Sequence, residues 1–188
     1  MTLSTTKKPD ILIWGAMTTA VLIVVLFFGL RPKGQPIENP VALLPERGAV
    51  AMGEYGMAYV DDLSGVSSFR PLDALTIELA VAADHTDGRK FGSLLMLHDG
   101  SDQRQVFVGQ WKSSLVVMNG NDYDHSQNLP RITATNAFTP QTPRLIVITA
   151  ANGQTRLYID GRLAGTNAKW QLDVPRSGEK LRLVMGNS

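Results

Sequence analysis

Residues 155–166, TRLYIDGRLAGT, read as strand, turn, strand. Asp160-Gly161 supplies two consecutive positions that tolerate positive φ, which a two-residue turn between twisted strands requires. Leu157 and Ile159 fall on one face of the pleat, and Arg156, Tyr158 and Asp160 on the other. This alternation predicts a β-hairpin with Leu157 and Ile159 turned inward.

Similar runs lie on either side. Leu75, Ile77, Leu79 and Val81 alternate with Thr76, Glu78 and Ala80, and FGSLLMLHD, RQVFVGQW, SLVVMNG, RLIVITAA and KLRLVMG follow. Between them stand the turn signals TDGRK, HDGSDQ, NGND, ANGQ and IDGR, at the spacing of antiparallel strands joined by short loops. No stretch of a dozen residues beyond the N-terminal region keeps a 3.6-residue period. The expected fold class is all-β, a two-sheet antiparallel sandwich. Leu79, Leu145, Val147, Leu157 and Ile159 are its expected core positions.

Ahead of the strands, Ile11–Leu30 (ILIWGAMTTAVLIVVLFFGL) carries no charge and only two threonines as polar side chains. A helix of that length rises about 30 Å, enough to cross a hydrocarbon core. FFGLRPKGQP follows with no small-residue cleavage site, which favours an uncleaved signal anchor over a removed signal peptide. Lys7 and Lys8 before the span are matched by Arg31 and Lys33 after it, so charge alone gives little orientation. A cytoplasmic N-terminus with a periplasmic or extracellular C-terminal domain is the arrangement expected of an N-terminal anchor, and Trp14 suits an interface. Four prolines in RPKGQPIENPVALLP favour extended backbone. The expected organisation is thus a short tail over 1–10, a transmembrane α-helix over 11–30, a Pro-rich tether over 31–48 and a sandwich over 49–188.

The chain holds 18 Lys+Arg and 17 Asp+Glu. Lys7, Lys8, Arg31, Lys33 and Asp10 all precede residue 34, so the remainder is slightly acidic, about −2. It has no basic cluster interleaved with aromatics, which argues against nucleic acid as a partner. With no cysteine, disulfides, thiolate metal sites and cysteine nucleophiles are excluded.

The succession RLIVITAANGQ, LYIDGRLAGT, LRLVMGNS resembles the laminin G-like domains of the concanavalin A-like lectin/glucanase superfamily, over roughly Ala49–Ser188 and most closely from Arg144 onward. The resemblance implies a concanavalin A-like jelly roll. Glucan-cleaving members carry carboxylates at alternate positions of one strand, and hydrolysis needs at least two. The comparable strand here holds only Glu78 among aliphatics. No catalytic residue is therefore assigned, and the protein is not expected to be an enzyme. Ser67, Ser68, Ser113 and Ser114 lack a nucleophile-elbow context.

The most polar loop is NGNDYDHSQN, with Asn119, Asn121, Asp122, Asp124 and His125. It reads as a solvated loop whose Asn and Asp satisfy their own turn backbone, in preference to a calcium-assisted sugar site. Asp99 and Asp102 read the same way, and His85, His98 and His125 are too scattered to propose as a metal cluster. No metal-binding or cofactor-binding residue is assigned. Trp111 and Trp170 could each stack on a sugar ring, and one of the two is expected to pack on the core.

These readings predict a non-catalytic, single-pass membrane-anchored scaffold or accessory subunit. It would contact the lipid bilayer through Ile11–Leu30 and protein partners through its domain. Gly15, Ala16, Thr18, Thr19 and Ala20 would offer a close-packing face to another helix. The alternative is a carbohydrate-binding, lectin-like module at the cell envelope, calcium-assisted, with a glycan as partner. Related sandwiches usually continue past a strand like LRLVMGNS into one more. Three occupants suit the place beside it: further chain, the segment GAVAMGEYGMAYV, or a partner subunit, the last being the expected one.

Overall fold

The computed structural model describes residues 9–29, 39–53, 55–63, 74–88, 91–100, 105–120, 122, 124–173 and 180–186. Residues 30–38 of the expected anchor and tether, together with Ser67, Ser68, Asp102 and Asn121, lie outside them. The chain divides into two units, Met1–Glu38 and Asn39–Ser188.

The first unit is the helix α1 (Pro9–Gly29). Its described side chains run from Ile13 to Gly29, all exposed and nearly all apolar. The two threonines bond back to their own helix, Thr18 Oγ1 donating to the Trp14 carbonyl at 2.8 Å and Thr19 Oγ1 to that of Gly15 at 2.9 Å. An apolar helix thus lies where the sequence predicts a membrane span. Among the described residues, however, no helix is long and apolar enough to cross a membrane.

The second unit opens with a small hairpin. Strands β1 (Val41–Leu44) and β2 (Ala49–Met52) pair antiparallel around a 3₁₀ turn, Pro45–Arg47, closed by Gly48 at φ 57°. The remaining strands are β3 (Met57–Val60), β4 (Ala74–Ala82), β5 (Phe91–His98), β6 (Val106–Trp111), β7 (Ser114–Asn119), β8 (Arg131–Ala134), β9 (Pro143–Ala151), β10 (Gln154–Ile159), β11 (Arg162–Asn167) and β12 (Arg182–Gly186). They form a six-stranded sheet, β3-β12-β5-β6-β7-β8, and a four-stranded sheet, β11-β10-β9-β4. The antiparallel β-sandwich expected from the alternation is present.

The hairpin 155–166 forms as predicted. Ile159 pairs with Arg162, and Asp160 and Gly161 between them adopt φ 51° and 77°. Asn152 and Gly153 (φ 53° and 75°) make the same kind of turn between β9 and β10. Leu157 is fully buried, while Ile159, Leu79, Leu75 and Val81 are partly buried against the core around Ile77, Leu97, Val108, Val117 and Ile148.

Strand β9 corrects the expected core. Leu145 is 47% exposed and Val147 half-buried, whereas Ile146 and Ile148 are buried. RLIVIT is apolar at both parities, so alternation alone does not choose a face. The pairing does: Ile148 lies opposite Leu157 and Ile77, and Ile146 opposite Ile159 and Leu79, and directly opposed residues share a face. Leu145 and Val147 therefore project from the outer side.

A second correction concerns β12. No partner subunit is needed beside it, because β3, from the segment GAVAMGEYGMAYV, pairs along it in register Leu183↔Val60 to Gly186↔Met57. β5 occupies its other side. The end of β3 is pinned by charge, with Arg182 Nε 2.9 Å from Asp61 Oδ1 and Lys180 Nζ 3.8 Å from Asp61 Oδ2.

Candidate functional site

Strands β8 and β11 are the outer strands of the two sheets, and they meet at one side of the sandwich. Their approach depends on Gly165, since a Cβ there would lie 2.6 Å from Ile132 Cγ2. Toward the hairpin tip the two edges part and leave a cleft of about 340 Å³. Thr133, Ala134, Thr135, Asn136 and Ala137 line one side, and Ile159, Arg162, Leu163 and Ala164 the other, with Arg144 between. It is an open cleft at the small end of the range for ligand pockets, with more polar than apolar lining.

The polar groups are held in place by local bonding. Asn136, at φ 55° in the turn after β8, accepts from Ser113 Oγ at 3.3 Å. Arg144 Nη1 donates to Asp160 Oδ2 at 2.7 Å, and the Leu145 amide donates to Asp160 Oδ1 at 3.0 Å. The Leu145 amide bond and the Arg144 guanidinium hold the Asp160 carboxyl below its ordinary range. The turn aspartate thus shapes the hairpin and also fixes Arg144. The Nε of Arg144 is buried and has no hydrogen-bond partner among the described residues. Arg162 is exposed, and its charge also helps to hold the Asp160 carboxyl down. Sequence reasoning missed this cleft, because its lining comes from four strands and the turns joining them.

The polar loop 119–128 is a different kind of structure. Asp122 is 1% exposed. Its Oδ1 accepts from the Gln127 amide at 2.8 Å, and its Oδ2 from the Leu129 amide at 2.9 Å and Arg131 Nη2 at 2.6 Å. Asp124 Oδ1 accepts from the Ser126 amide at 3.0 Å. Arg131 also meets His125 Nε2 at 3.2 Å. These carboxylates latch the loop to itself, so their oxygens are engaged by donors rather than converging on one point. Among the described residues no group of three His, Asp or Glu side chains could hold a metal ion. Asn119 clasps Asp173 through two bonds of 2.7 and 3.0 Å.

Burial pushes the Asp122 carboxyl up, but the two amides and the Arg131 guanidinium outweigh it and leave it below its model-compound value of 3.8. A lowered folded value means stability that is fully present above the unfolded pKa and is lost as pH falls through the folded one. Thermal melts are therefore expected to fall as pH drops below about 4. Asp122→Asn should melt lower at pH 7 and show a flatter decline over the acid range. An unchanged acid profile in Asp122→Asn would show that the latch contributes nothing to folding.

The tryptophans divide as expected. Trp170 is half-buried against the core, and its carbonyl accepts from the buried Thr155 hydroxyl at 3.0 Å. Trp111 is 40% exposed on the outer face of the six-stranded sheet, where it stacks on Phe91 with centroids 6.0 Å apart. Beneath them Gly109 leaves room for the Phe91 and Phe107 rings, and Phe107, Val116 and Met118 form a second buried cluster. Glu78 stands exposed on the outside of β4, with no second carboxylate opposite it on β9, where its partner is Val147.

No protein-family model matches the sequence, and no curated protein is similar to it. Several solved structures share the fold. The binding domain of botulinum neurotoxin DC in complex with SialylT aligns with a TM-score of 0.57 at 15% identity, over 80% of this chain and 38% of that one. The Ruminococcus gnavus IT-sialidase CBM40 bound to alpha2,3 sialyllactose aligns with a TM-score of 0.49 at 16% identity, over 70% and 79%. The carbohydrate-binding module CBM66 from Bacillus subtilis aligns with a TM-score of 0.47 at 13% identity, over 80% and 89%. This chain spans little more than a third of the toxin binding domain, and at such identity the likeness is one of fold.

Proposed function

We propose that the sandwich is a non-catalytic carbohydrate-binding module carried by a membrane-anchored chain. The observation that carries this reading is the cleft between β8 and β11. Thr133, Thr135 and Asn136 bring hydroxyl and amide groups that both donate and accept, as sugar hydroxyls require, and Ile159 and Ala164 bring apolar surface. Its described lining includes no carboxylate, while glycoside cleavage needs two. This supports binding without turnover. A glycan ligand also accords with the toxin binding domain that shares the sandwich, which is described in complex with SialylT.

The anchor is proposed on the surface of α1. Its described side chains are apolar all round and exposed, and its threonine hydroxyls are bonded within the helix, which suits lipid on every side. The span proposed is 11–30, with the N-terminus cytoplasmic and the sandwich periplasmic or extracellular. A scaffold or accessory-subunit role is the second reading. It is favoured by Leu145 and Leu163, two large apolar side chains exposed on the four-stranded sheet.

Glycan-array binding by the full chain in mild detergent tests the first reading. Binding to a restricted set of glycans is expected, unaltered by a calcium chelator and reduced about tenfold or more by Asn136→Ala. The protein used should come from membranes that retain it through an alkaline carbonate wash. A flat response across the array would overturn the carbohydrate reading in favour of the scaffold. Release by carbonate would overturn the anchor.

A further inference from the structure

Resting on the membrane anchor proposed above, we infer that the hairpin β1–β2 is a second lipid contact, seated in the interface of the same bilayer and fixing how the sandwich stands on it. Among the described residues outside α1, ten large apolar or aromatic side chains are exposed, and seven of them lie between residues 43 and 60. That stretch is the part of the sandwich nearest the span in sequence. Only residues 31–40 separate Leu30 from Val41, no more than about 35 Å of fully extended chain.

The strands of the hairpin belong to neither sheet of the sandwich and pair only with each other. Leu43 lies opposite Val50 and Val41 opposite Met52 on one face, and Leu44 opposite Ala49 and Ala42 opposite Ala51 on the other. Both faces are thus apolar. Leu43 is 77% exposed, more than any other large apolar side chain described, and Leu44 and Val50 are exposed with it. An isolated two-stranded hairpin is marginally stable in water, and so continuous an apolar surface marks a site of interaction. Its base is nevertheless firmly held. Asn39 Nδ2 donates to the Met57 carbonyl at 2.8 Å, the Met57 amide donates to Asn39 Oδ1 at 2.9 Å, and the Gly53 amide donates to the Pro40 carbonyl at 2.9 Å. The apolar end is therefore presented on a fixed mount.

The occupant follows from both faces being apolar. A second copy adding a strand would cover one edge and leave the faces in water, whereas a lipid interface meets both faces at once. The hairpin's two charges, Glu46 and Arg47 at its turn, cancel, so apolar contact drives the seating and neutral lipid suffices; the same charges hold the turn at headgroup depth. The outer edges of the two strands, unpaired with any other described strand, set the same limit, since backbone donors there need water or headgroups to meet them. Tyr59, 68% exposed on the β3 to which the base is clasped, is a residue type suited to that boundary.

The sequence has no cysteine, so single labels can be placed without removing any native residue of that type. The full chain, reconstituted in phosphatidylcholine vesicles, carries an environment-sensitive fluorophore at one of four positions. Leu43→Cys and Val50→Cys report on the hairpin, Leu145→Cys on an exposed apolar site of the four-stranded sheet, and Leu22→Cys on α1. Quenching by nitroxide lipids and by aqueous iodide is measured for each. Labels at 43 and 50 are expected to be quenched by shallow nitroxides about twofold or more beyond the label at 145, and by iodide about twofold or more below it. Iodide quenching at 43 and 50 equal to that at 145 would leave the hairpin in water and overturn the inference. Shielding from both quenchers would mean that protein covers it, and would overturn the lipid contact in favour of a second copy. The label at 22 tests the anchor by itself: quenching by deep nitroxides is expected, and its absence would overturn the span while the labels at 43 and 50 still decide the hairpin.

Discussion

Ile148→Asp is expected to abolish folding of the sandwich, whereas Leu145→Asp, on the same strand, should leave it folded. Ile148 has no exposed surface and lies between Leu157 and Ile77 in the centre of the four-stranded sheet. A carboxylate there has no donor to meet it, and burying an unpaired charge costs several kcal/mol against a total stability of about 5 to 15. Leu145 projects from the other face with nearly half its surface in solvent, so its replacement removes little packing. Circular dichroism and thermal melts of the two variants decide the matter. A folded Ile148→Asp beside an unfolded Leu145→Asp would mean that β9 presents its opposite face to the core.

Gly186→Ala should cost on the order of 3 kcal/mol or more, through two independent effects. The backbone at Gly186 has φ 101°, a region that side-chain-bearing residues rarely enter. An added Cβ would also collide with the carbonyl oxygen of Gly56, which is backbone and cannot rotate away. Gly161→Ala supplies the control. Its φ of 77° is also positive, but nothing lies within 4 Å of the added carbon, so only the backbone cost of about 1 kcal/mol remains. Urea denaturation of both variants measures the difference, and equal losses would remove the steric part of the argument.

The parts of the fold legible in the sequence were those with strict alternation. In β4 every second residue is apolar and the intervening ones are Thr, Glu or Ala, so one register alone buries the apolar set. The hairpin 155–166 added a turn that only certain residues can make. β9 was legible as a strand but not in its facing, because its two faces are equally apolar and the decision belongs to its neighbours. β1, β2 and β3 are four residues each and sit among prolines and glycines, too short for a period to emerge. The cleft was illegible for another reason. Arg144, Asn136 and Arg162 are unremarkable in their own segments and come to line one cleft only when the sheet edges meet near Gly165. The polar loop, by contrast, could be read locally, since Asp122 and Asp124 bond to amides two to seven residues ahead.

The pairing of β3 with β12 also bears on the order in which the molecule is made. Asp61 and Arg182, which close that seam, are 121 positions apart in the chain. Contacts of such high sequence separation form slowly, because the entropy of closing the intervening loop must be lost before the pairing compensates it. During synthesis β3 emerges first and β12 last among the strands of the six-stranded sheet, and β5 waits with an unpaired side until β12 arrives. The six-stranded sheet is therefore completed only once β12 has emerged. Until then its open edge is the part of the nascent chain most exposed to wrong pairing.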